Sequence, residues 1–183
     1  MPVSPTSIGG LFVVDSPLLE DERGFFRESF RIDELSEAVG RPVTFRQNNH
    51  SRSSAGVLRG FHLEPWDKLI YVVRGLALCV VADPRPQSAT FGRHETFLLG
   101  DAPGRHRRLF VARGLANAFQ VIDEADYVNE VSEVFDPRDR LGFAWNDPLF
   151  GVEWPNPHPI LSAVDRALPN LEQLLSRSEA LAS

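Results

Sequence analysis

The chain has 183 residues, of which 43% are hydrophobic and 24% are charged, so it is long enough for one globular domain with a sizeable core. Its formal net charge of −6 argues against a general nucleic-acid binder, since nothing offsets phosphate repulsion over the whole surface. A single cysteine excludes an internal disulfide and a cysteine-based zinc site. No apolar run reaches the roughly 20 residues of a membrane helix, and no signal peptide is evident. We therefore expect a soluble, cytoplasmic protein without membrane or nucleic-acid partners.

Short β-type runs follow one another along most of the chain, each rich in Val, Ile or Phe or in alternating residues. The predicted strands, in chain order, are Ile8–Val14, Leu69–Val73, Ala77–Ala82, His94–Leu99, Arg108–Val111, Ala118–Ile122 and Tyr127–Val134. Turn signals such as Arg74-Gly75 and Asp123-Glu124 separate them. Their spacing of about ten residues predicts an all-β sandwich or barrel rather than a parallel α/β sheet.

Two helices are predicted beside the strands. Residues 32–39 form a short helix, and residues 170–182 form a C-terminal helix. In the C-terminal helix Asn170 caps the first turn, and Gln173 completes a capping box by bonding back to Asn170. The apolar stripe of the C-terminal helix consists of Leu171, Leu174, Leu175 and Leu181. We expect this stripe to pack on the barrel, so that residues 1–183 form a single domain.

A dense polar stretch, residues 47–62, ends on a histidine in an apolar, strand-like context. Imidazole is the side chain best suited to exchange a proton near neutral pH, although a histidine there is about as often a satisfied core residue. The only lysine of the chain, Lys68, follows six residues after His62. Its ammonium could stabilise an oxyanion formed when His62 removes a proton. The pattern therefore predicts a pocket with a base at its floor.

Other polar groups have both a structural and a functional interpretation. The charged turn before two phenylalanines, residues 21–26, is either an exposed hairpin or a platform that stacks a nucleobase, with Arg23 on a phosphate. Asp165 could orient the base histidine as a buried carboxylate does. Arg52, Arg59 and Arg74 are either anion ligands or solvated loop arginines.

A metal site is the main alternative for the pocket. Barrels of this class often hold a metal through a His-x-His pair, a following Glu and a later His. Here the pair is His62-Leu63-Glu64, which lacks the second imidazole, and the later position is Asn117. So few good ligands do not make a transition-metal site, and we expect no catalytic metal.

The motifs together resemble the dTDP-4-dehydrorhamnose 3,5-epimerases, the RmlC-type cupins of nucleotide-sugar biosynthesis. The matching segments are residues 21–26, 47–62, 68–75, 138–148 and 161–166, which span nearly the whole chain in the family's order. The resemblance implies a cupin-type jelly-roll that forms a homodimer, with strands exchanged near the active sites. It also implies that the substrate is a nucleotide-linked 4-keto-6-deoxyhexose, a dTDP-sugar, and that no cofactor is required.

The resemblance also implies roles for individual residues. His62 matches the catalytic base, Asp165 its dyad partner and Lys68 the lysine near the C4 oxygen of the sugar. The positions that match nucleotide or sugar contacts are Gln47, Asn49 and Arg59 and, from the partner subunit, Arg23, Phe26 and Glu28.

Two positions depart from the family pattern. The resemblance places Asn129 where the family usually has a tyrosine that acts as the opposite-face acid, and Asn117 where it has a later histidine. We expect both asparagines to contact the substrate. Because an amide cannot deliver a proton as a phenol does, we expect Tyr127, or water, to supply it. Three functions stay open: an epimerase at C3, C5 or both, a related keto-sugar isomerase or lyase, and a sugar-nucleotide-binding protein without catalysis.

Overall fold

The computed structural model describes residues 1–182, with side chains as far as Ser176, and within them the fold is mainly β. The strands are β1 (Val3–Pro5), β2 (Leu11–Val14), β3 (Leu19–Asp21), β4 (Gly24–Phe26), β5 (Gln47–Ser53), β6 (Leu58–His62), β7 (Lys68–Ala82), β8 (His94–Gly100), β9 (Arg108–Val111) and β10 (Ala116–Val131). The helices are α1 (Ile32–Val39), α2 (Ala163–Arg166) and α3 (Leu171–Ala182), and a 3₁₀ turn spans Pro137–Asp139. None of the helices in the described part of the chain has the length and apolarity needed to cross a membrane.

The two long strands β7 and β10 form the centre of the fold and connect its two layers. The main sheet has the order β1-β2-β9-β7-β10-β5, with every neighbouring pair antiparallel. The second half of β7 also pairs with β8, and the first half of β10 pairs with β6. Each long strand therefore contributes to both layers, as in a double-sheet jelly roll. This confirms the predicted all-β, cupin-type architecture with short peripheral helices.

Two of the predicted turns are wrong, because the structure places both inside the long strands. Arg74-Gly75 lies within β7 and Asp123-Glu124 within β10, at a point where the pairing register shifts. Gly75 has a φ of +81°, and a Cβ added to it would lie 2.0 Å from the Glu124 carbonyl oxygen. Only glycine fits this approach, so the glycine marks a bulge that bends the strand pair rather than a loop.

The buried apolar side chains of the described residues form three clusters, one of which packs α1 on the sheet. The largest lies around Ile70, Val72 and Cys79, whose thiol is fully buried. Burial raises the pKa of Cys79 well above its ordinary value, so the thiol stays protonated and unreactive. In the second cluster, Phe61 stacks on Phe143 with ring centroids 4.8 Å apart. The core thus encloses the strands that hold the candidate base.

The C-terminal helix begins and packs as its sequence predicts. The backbone N–H of Gln173 donates to the Asn170 side chain at 2.8 Å, and the Gln173 side chain accepts from the Asn170 N–H at 3.2 Å. This reciprocal pair is a capping box. Leu171 is buried in the second cluster, and Leu174 and Leu175 pack against it. The side chain of Leu181, the fourth member of the predicted stripe, lies outside the described residues.

Candidate active site

A close approach between β6 and β10 sets the position of His62. Gly60, with a φ of +116°, passes so near β10 that an added Cβ would lie 2.7 Å from the Ala118 Cα. Two residues later, His62 becomes the register partner of Asn117. The imidazole keeps 32% of its side-chain surface exposed, so a solute can reach it at the edge of the barrel.

His62 and Asp165 form a hydrogen-bonded pair, although 103 residues separate them in the chain. The His62 Nε2 lies 2.8 Å from the Asp165 Oδ1. Ser162, which caps α2, donates to the other carboxylate oxygen at 2.7 Å and accepts the backbone N–H of Asp165 at 3.0 Å. Burial acts to raise the pKa of Asp165, but the hydrogen bonds from His62 and Ser162 outweigh it and lower that pKa. Asp165 is therefore a charged group at neutral pH that orients the imidazole.

Lys68, at the start of β7, has an almost completely buried ammonium group. Its Nζ lies 2.6 Å from Glu64 Oε2, 2.6 Å from Asn117 Oδ1 and 3.4 Å from the carbonyl oxygen of His62. Burial lowers the pKa of Lys68, and the Glu64 carboxylate opposes this effect. A positive charge in such a weakly screened place interacts strongly with any negative charge that forms beside it. In the sequence, Glu64 stood out only as a candidate metal ligand. Its spacing of four residues from Lys68 is the one signal there of this contact.

Asn117 connects Lys68 to Tyr127. Its amide N–H donates to the Tyr127 hydroxyl oxygen at 3.3 Å, while its carbonyl oxygen accepts from Lys68. The Tyr127 ring is buried and stacks on Phe119, with ring centroids 3.9 Å apart and nearly parallel planes. Burial raises the pKa of Tyr127 well above its ordinary value, so the phenol keeps its proton. The predicted alternative acid is thus joined to the site through an amide.

Asn129 lies two residues beyond Tyr127 on the same strand face. Its register partners are Ile70 on β7, on the face of Lys68, and Asn49 on β5. The side-chain oxygen of Asn129 is buried and has no hydrogen-bond partner among the described residues. An unpaired buried acceptor is costly, so this oxygen is suited to a hydroxyl group of a bound molecule.

Two predicted substrate contacts on β5 lie next to each other at the end of the strand. Gln47 donates to Asn49 at 2.6 Å through its side-chain amide. Its side-chain oxygen accepts the backbone N–H of Phe135 at 2.9 Å, so the segment after β10 borders the same region. The structure thus adds Phe135, which the sequence interpretation had not considered, to this end of the barrel.

The three arginines considered as anion ligands have different environments. Arg52 pairs with the buried carboxylate of Asp126 at 2.8 Å, and Arg74 pairs with the exposed carboxylate of Glu124 at 3.3 Å. Arg59 instead donates from two guanidinium nitrogens to the Ser53 hydroxyl, each at 3.1 Å. Among the described residues, Arg59 thus has no carboxylate partner and keeps its charge for an anion, whereas Arg52 and Arg74 are already paired with carboxylates.

The hairpin of β3 and β4 forms a separate two-stranded sheet. Arg23 pairs with Asp21 inside the hairpin, Glu28 pairs with Arg31 at 2.7 Å, and Phe26 is 64% exposed. In this chain these side chains contact their own neighbours. Their expected role at the site of a partner subunit stays a prediction.

The residues considered as metal ligands serve other partners. His62 bonds to Asp165, Glu64 pairs with Lys68, and Asn117 bonds to Lys68 and Tyr127. Within the residues that the structure describes, no three His, Cys, Asp or Glu side chains are grouped so that they could hold a metal ion. The site is instead one continuous network of hydrogen bonds and charges.

Comparisons with known proteins place this network in a family. The family model described as dTDP-4-dehydrorhamnose 3,5-epimerase matches residues 5–173. The dTDP-4-dehydrorhamnose 3,5-epimerase of Shigella flexneri is 39% identical over 170 residues, which cover 90% of this chain and 93% of that protein. NovW, a 4-keto-6-deoxy sugar epimerase from the novobiocin gene cluster of Streptomyces spheroides, has a TM-score of 0.93 at 31% identity, covering 97% of this chain and 91% of NovW. ChmJ, a 3'-monoepimerase from Streptomyces bikiniensis solved with dTDP-quinovose, has a TM-score of 0.89 at 31% identity, covering 96% of this chain and 90% of ChmJ. This chain therefore belongs to the dTDP-4-dehydrorhamnose 3,5-epimerase family.

Proposed function

We propose that this chain is a nucleotide-sugar epimerase that inverts C3, C5 or both in a dTDP-4-keto-6-deoxyhexose. The observation that carries the proposal is the His62–Asp165 pair, at 2.8 Å, beside the buried ammonium of Lys68. The substrate class is supported by relatives that are named for a dTDP-linked sugar or were solved with one. The cytoplasmic location expected from the sequence stays a prediction.

The first step is the removal of a proton from the carbon next to the C4 ketone. His62 takes the proton, the electron pair of the C–H bond moves to the ketone oxygen, and an enolate forms. A gap of about a dozen pK units between such a carbon acid and imidazole corresponds to about 16 kcal/mol. The Lys68 ammonium lowers this barrier by interacting with the enolate oxygen, and Asp165 stabilises the imidazolium.

The second step returns a proton to the opposite face of the same carbon. We assign it to Tyr127, whose phenol is connected to Lys68 through Asn117. The phenol is buried behind Asn117 and reaches the site only through that amide, so we expect proton return from the opposite face to be slow. His62 can return its own proton to the original face, which leaves the centre unchanged. We therefore expect exchange of the substrate proton to be faster than inversion.

Recognition of the rest of the substrate is assigned to side chains around the dyad. Asn129 offers its unpaired oxygen to a sugar hydroxyl, and Gln47, Asn49 and Arg59 face the nucleotide. A second copy of the chain completes the site. It supplies Arg23 and Phe26 of its β3–β4 hairpin and Glu28, which follows the hairpin. The exposed aromatic surface of that hairpin supports this arrangement, since such surface normally marks an interaction site.

The reaction is tested by incubating the protein with a dTDP-4-keto-6-deoxyhexose in D2O and following the C3 and C5 protons by NMR. We expect exchange at one or both carbons, with slower inversion. A His62→Asn variant should abolish exchange, and retention of exchange in that variant would contradict the assignment of the base. No exchange at either carbon, with dTDP or other nucleotides, would overturn the epimerase and would leave a binding protein as the better interpretation.

The shared site is tested by mixing two inactive variants. A mixture of His62→Asn and Phe26→Ala chains, unfolded and refolded together, forms mixed dimers in which one site combines His62 of one chain with Phe26 of the other. We expect activity to return in the mixture, whereas each variant alone stays inactive. If mass spectrometry shows mixed dimers and activity still does not recover, the contribution of the β3–β4 hairpin to the site of the partner subunit is contradicted.

A further inference from the structure

The hydrogen bonds of Lys68 divide its three N–H groups into two kinds. Two of them are short, at 2.6 Å to Glu64 and 2.6 Å to Asn117. The third, to the carbonyl oxygen of His62, is long at 3.4 Å. An ammonium has three donors and no acceptor, so the weakly held third donor is the one that a substrate oxygen can take over with the smallest loss. The two short bonds fix the direction in which it points.

Glu64 is the carboxylate that compensates the charge of this ammonium. The Lys68 side chain is 2% exposed and that of Glu64 is 14% exposed, so solvent screens the pair only weakly. The neighbouring carboxylate of Asp67 is turned away and binds Arg41 through both oxygens, each at 2.7 Å. A buried ammonium without a counter-charge would lose its proton, because burial disfavours the charged form.

The other groups around Lys68 cannot replace that carboxylate. On β6, His62 presents its backbone carbonyl to the ammonium and directs its ring to Asp165. On β10, Asn117 is uncharged, and Tyr127 is a neutral phenol behind it. Within the described residues, Glu64 is therefore the anionic group in contact with Lys68.

We propose that Glu64 is a positioning residue, which keeps the Lys68 ammonium charged inside the pocket and turns its third N–H toward the C4 oxygen of the substrate. The role given to the substrate oxygen rests on the proposed function above. The same carboxylate partly offsets the field of the ammonium at that oxygen. Glu64 thus determines the pH range in which the site can stabilise an enolate, at some cost in the strength of that stabilisation.

The test uses the fact that Lys68 is the only lysine of the chain. Protein made with lysine labelled at Cε and Nζ gives one side-chain NMR signal, which reports the protonation of Lys68 directly. We expect Glu64→Gln to move the midpoint of this titration to lower pH by about one unit or more, at least a tenfold change in the ratio of charged to neutral lysine. Glu64→Asp should give a smaller change in the same direction. Glu37→Gln, a change on the exposed face of α1, is the matched control and should leave the midpoint unchanged.

Kinetics then separate a positioning role from a structural one. We expect the alkaline limb of the pH profile of kcat/KM to move with the NMR midpoint, so that the loss of activity in Glu64→Gln grows as the pH rises. An equal loss of activity at every pH, with the limb unmoved, would overturn the proposal.

The labelled signal also separates this proposal from the proposed function. An unchanged Lys68 midpoint in Glu64→Gln, or in Glu64→Asp if the first variant does not fold, would overturn the role of Glu64 even in an active enzyme. A shifted midpoint in a protein that exchanges no substrate proton would support the coupling of Glu64 to Lys68 and overturn the epimerase.

Discussion

Replacing Asp165 by asparagine tests the dyad with the smallest change in shape. The variant keeps the size of the side chain and can still contact His62 Nε2, now 2.8 Å from the carboxylate oxygen, but it removes the negative charge. The Asp165 side chain is 6% exposed, so solvent replaces little of the lost interaction. A hydrogen bond to a charged group contributes about 1.5–3 kcal/mol, and losing it in the transition state lowers kcat/KM by about 10- to 150-fold.

The assay is the initial rate of proton exchange in D2O at fixed substrate, together with the free energy of unfolding in urea. Ser162→Ala is the matched control, because it removes the hydrogen bond from a neutral hydroxyl group to the same carboxylate and leaves the charge of the carboxylate in place. Ser162 acts on the imidazole only through Asp165, so we expect that variant to lose only about 2- to 12-fold in kcat/KM. A loss below about threefold in Asp165→Asn, in a protein that is as stable as the unchanged one, would refute the reasoning.

Three further substitutions test the opposite-face acid, the close approach of β6 to β10 and the buried carboxylate of Asp83. Asn129→Tyr restores a phenol to the face of β10 that holds the site, so we expect the ratio of inversion to exchange measured by NMR in D2O to rise at least about tenfold; an unchanged ratio would show that the acid is not limiting. Gly60→Ala forces a Cβ to within 2.7 Å of Ala118, so urea unfolding should show a loss of about 1–3 kcal/mol, and unchanged stability would contradict the described approach of β6 to β10. Burial acts to raise the pKa of Asp83, but hydrogen bonds from Arg85 and two hydroxyl groups lower it to about 2, below the value of about 3.9 in unfolded chains. The stability that Asp83 contributes is therefore complete above that unfolded value and is lost as the pH falls toward 2; Asp83→Asn should flatten this acid loss in urea titrations, and an unchanged slope would contradict it.

Features that depend only on residues close in the chain could be predicted from the sequence, and the C-terminal helix is the clearest case. Its capping box depends on residues three apart, and its apolar stripe depends on helical spacing alone. Alternating hydrophobicity likewise predicted the strands of the core. It failed at Arg74-Gly75 and Asp123-Glu124, because the choice between a turn and a bulge there depends on two distant strands that meet at Gly75.

The site could be predicted only in part for the same reason. Sequence spacing gave His62 and Lys68 as neighbours, but the pairing with Asp165 required the resemblance to a family, since nothing local links residues 103 positions apart. The contact of Glu64 with Lys68 was missed because it depends on the conformation of the loop between β6 and β7. The environment of Tyr127 was also beyond prediction, because its burial follows from stacking on Phe119, which lies in the other half of the irregular strand β10.

The residues that meet in the candidate site are far apart in the sequence, and this separation affects when the site forms during folding. Lys68 and Asn117 are 49 residues apart, and His62 and Asp165 are 103 residues apart, so His62 can meet its partner only after residue 165 has been synthesised. Contacts of such long range form late, after slow strand pairing. A chain in which β6 and α2 have not yet met therefore lacks the His62–Asp165 pair. Under the role proposed for His62, catalytic activity thus also reports the fraction of molecules in which these distant segments have come together.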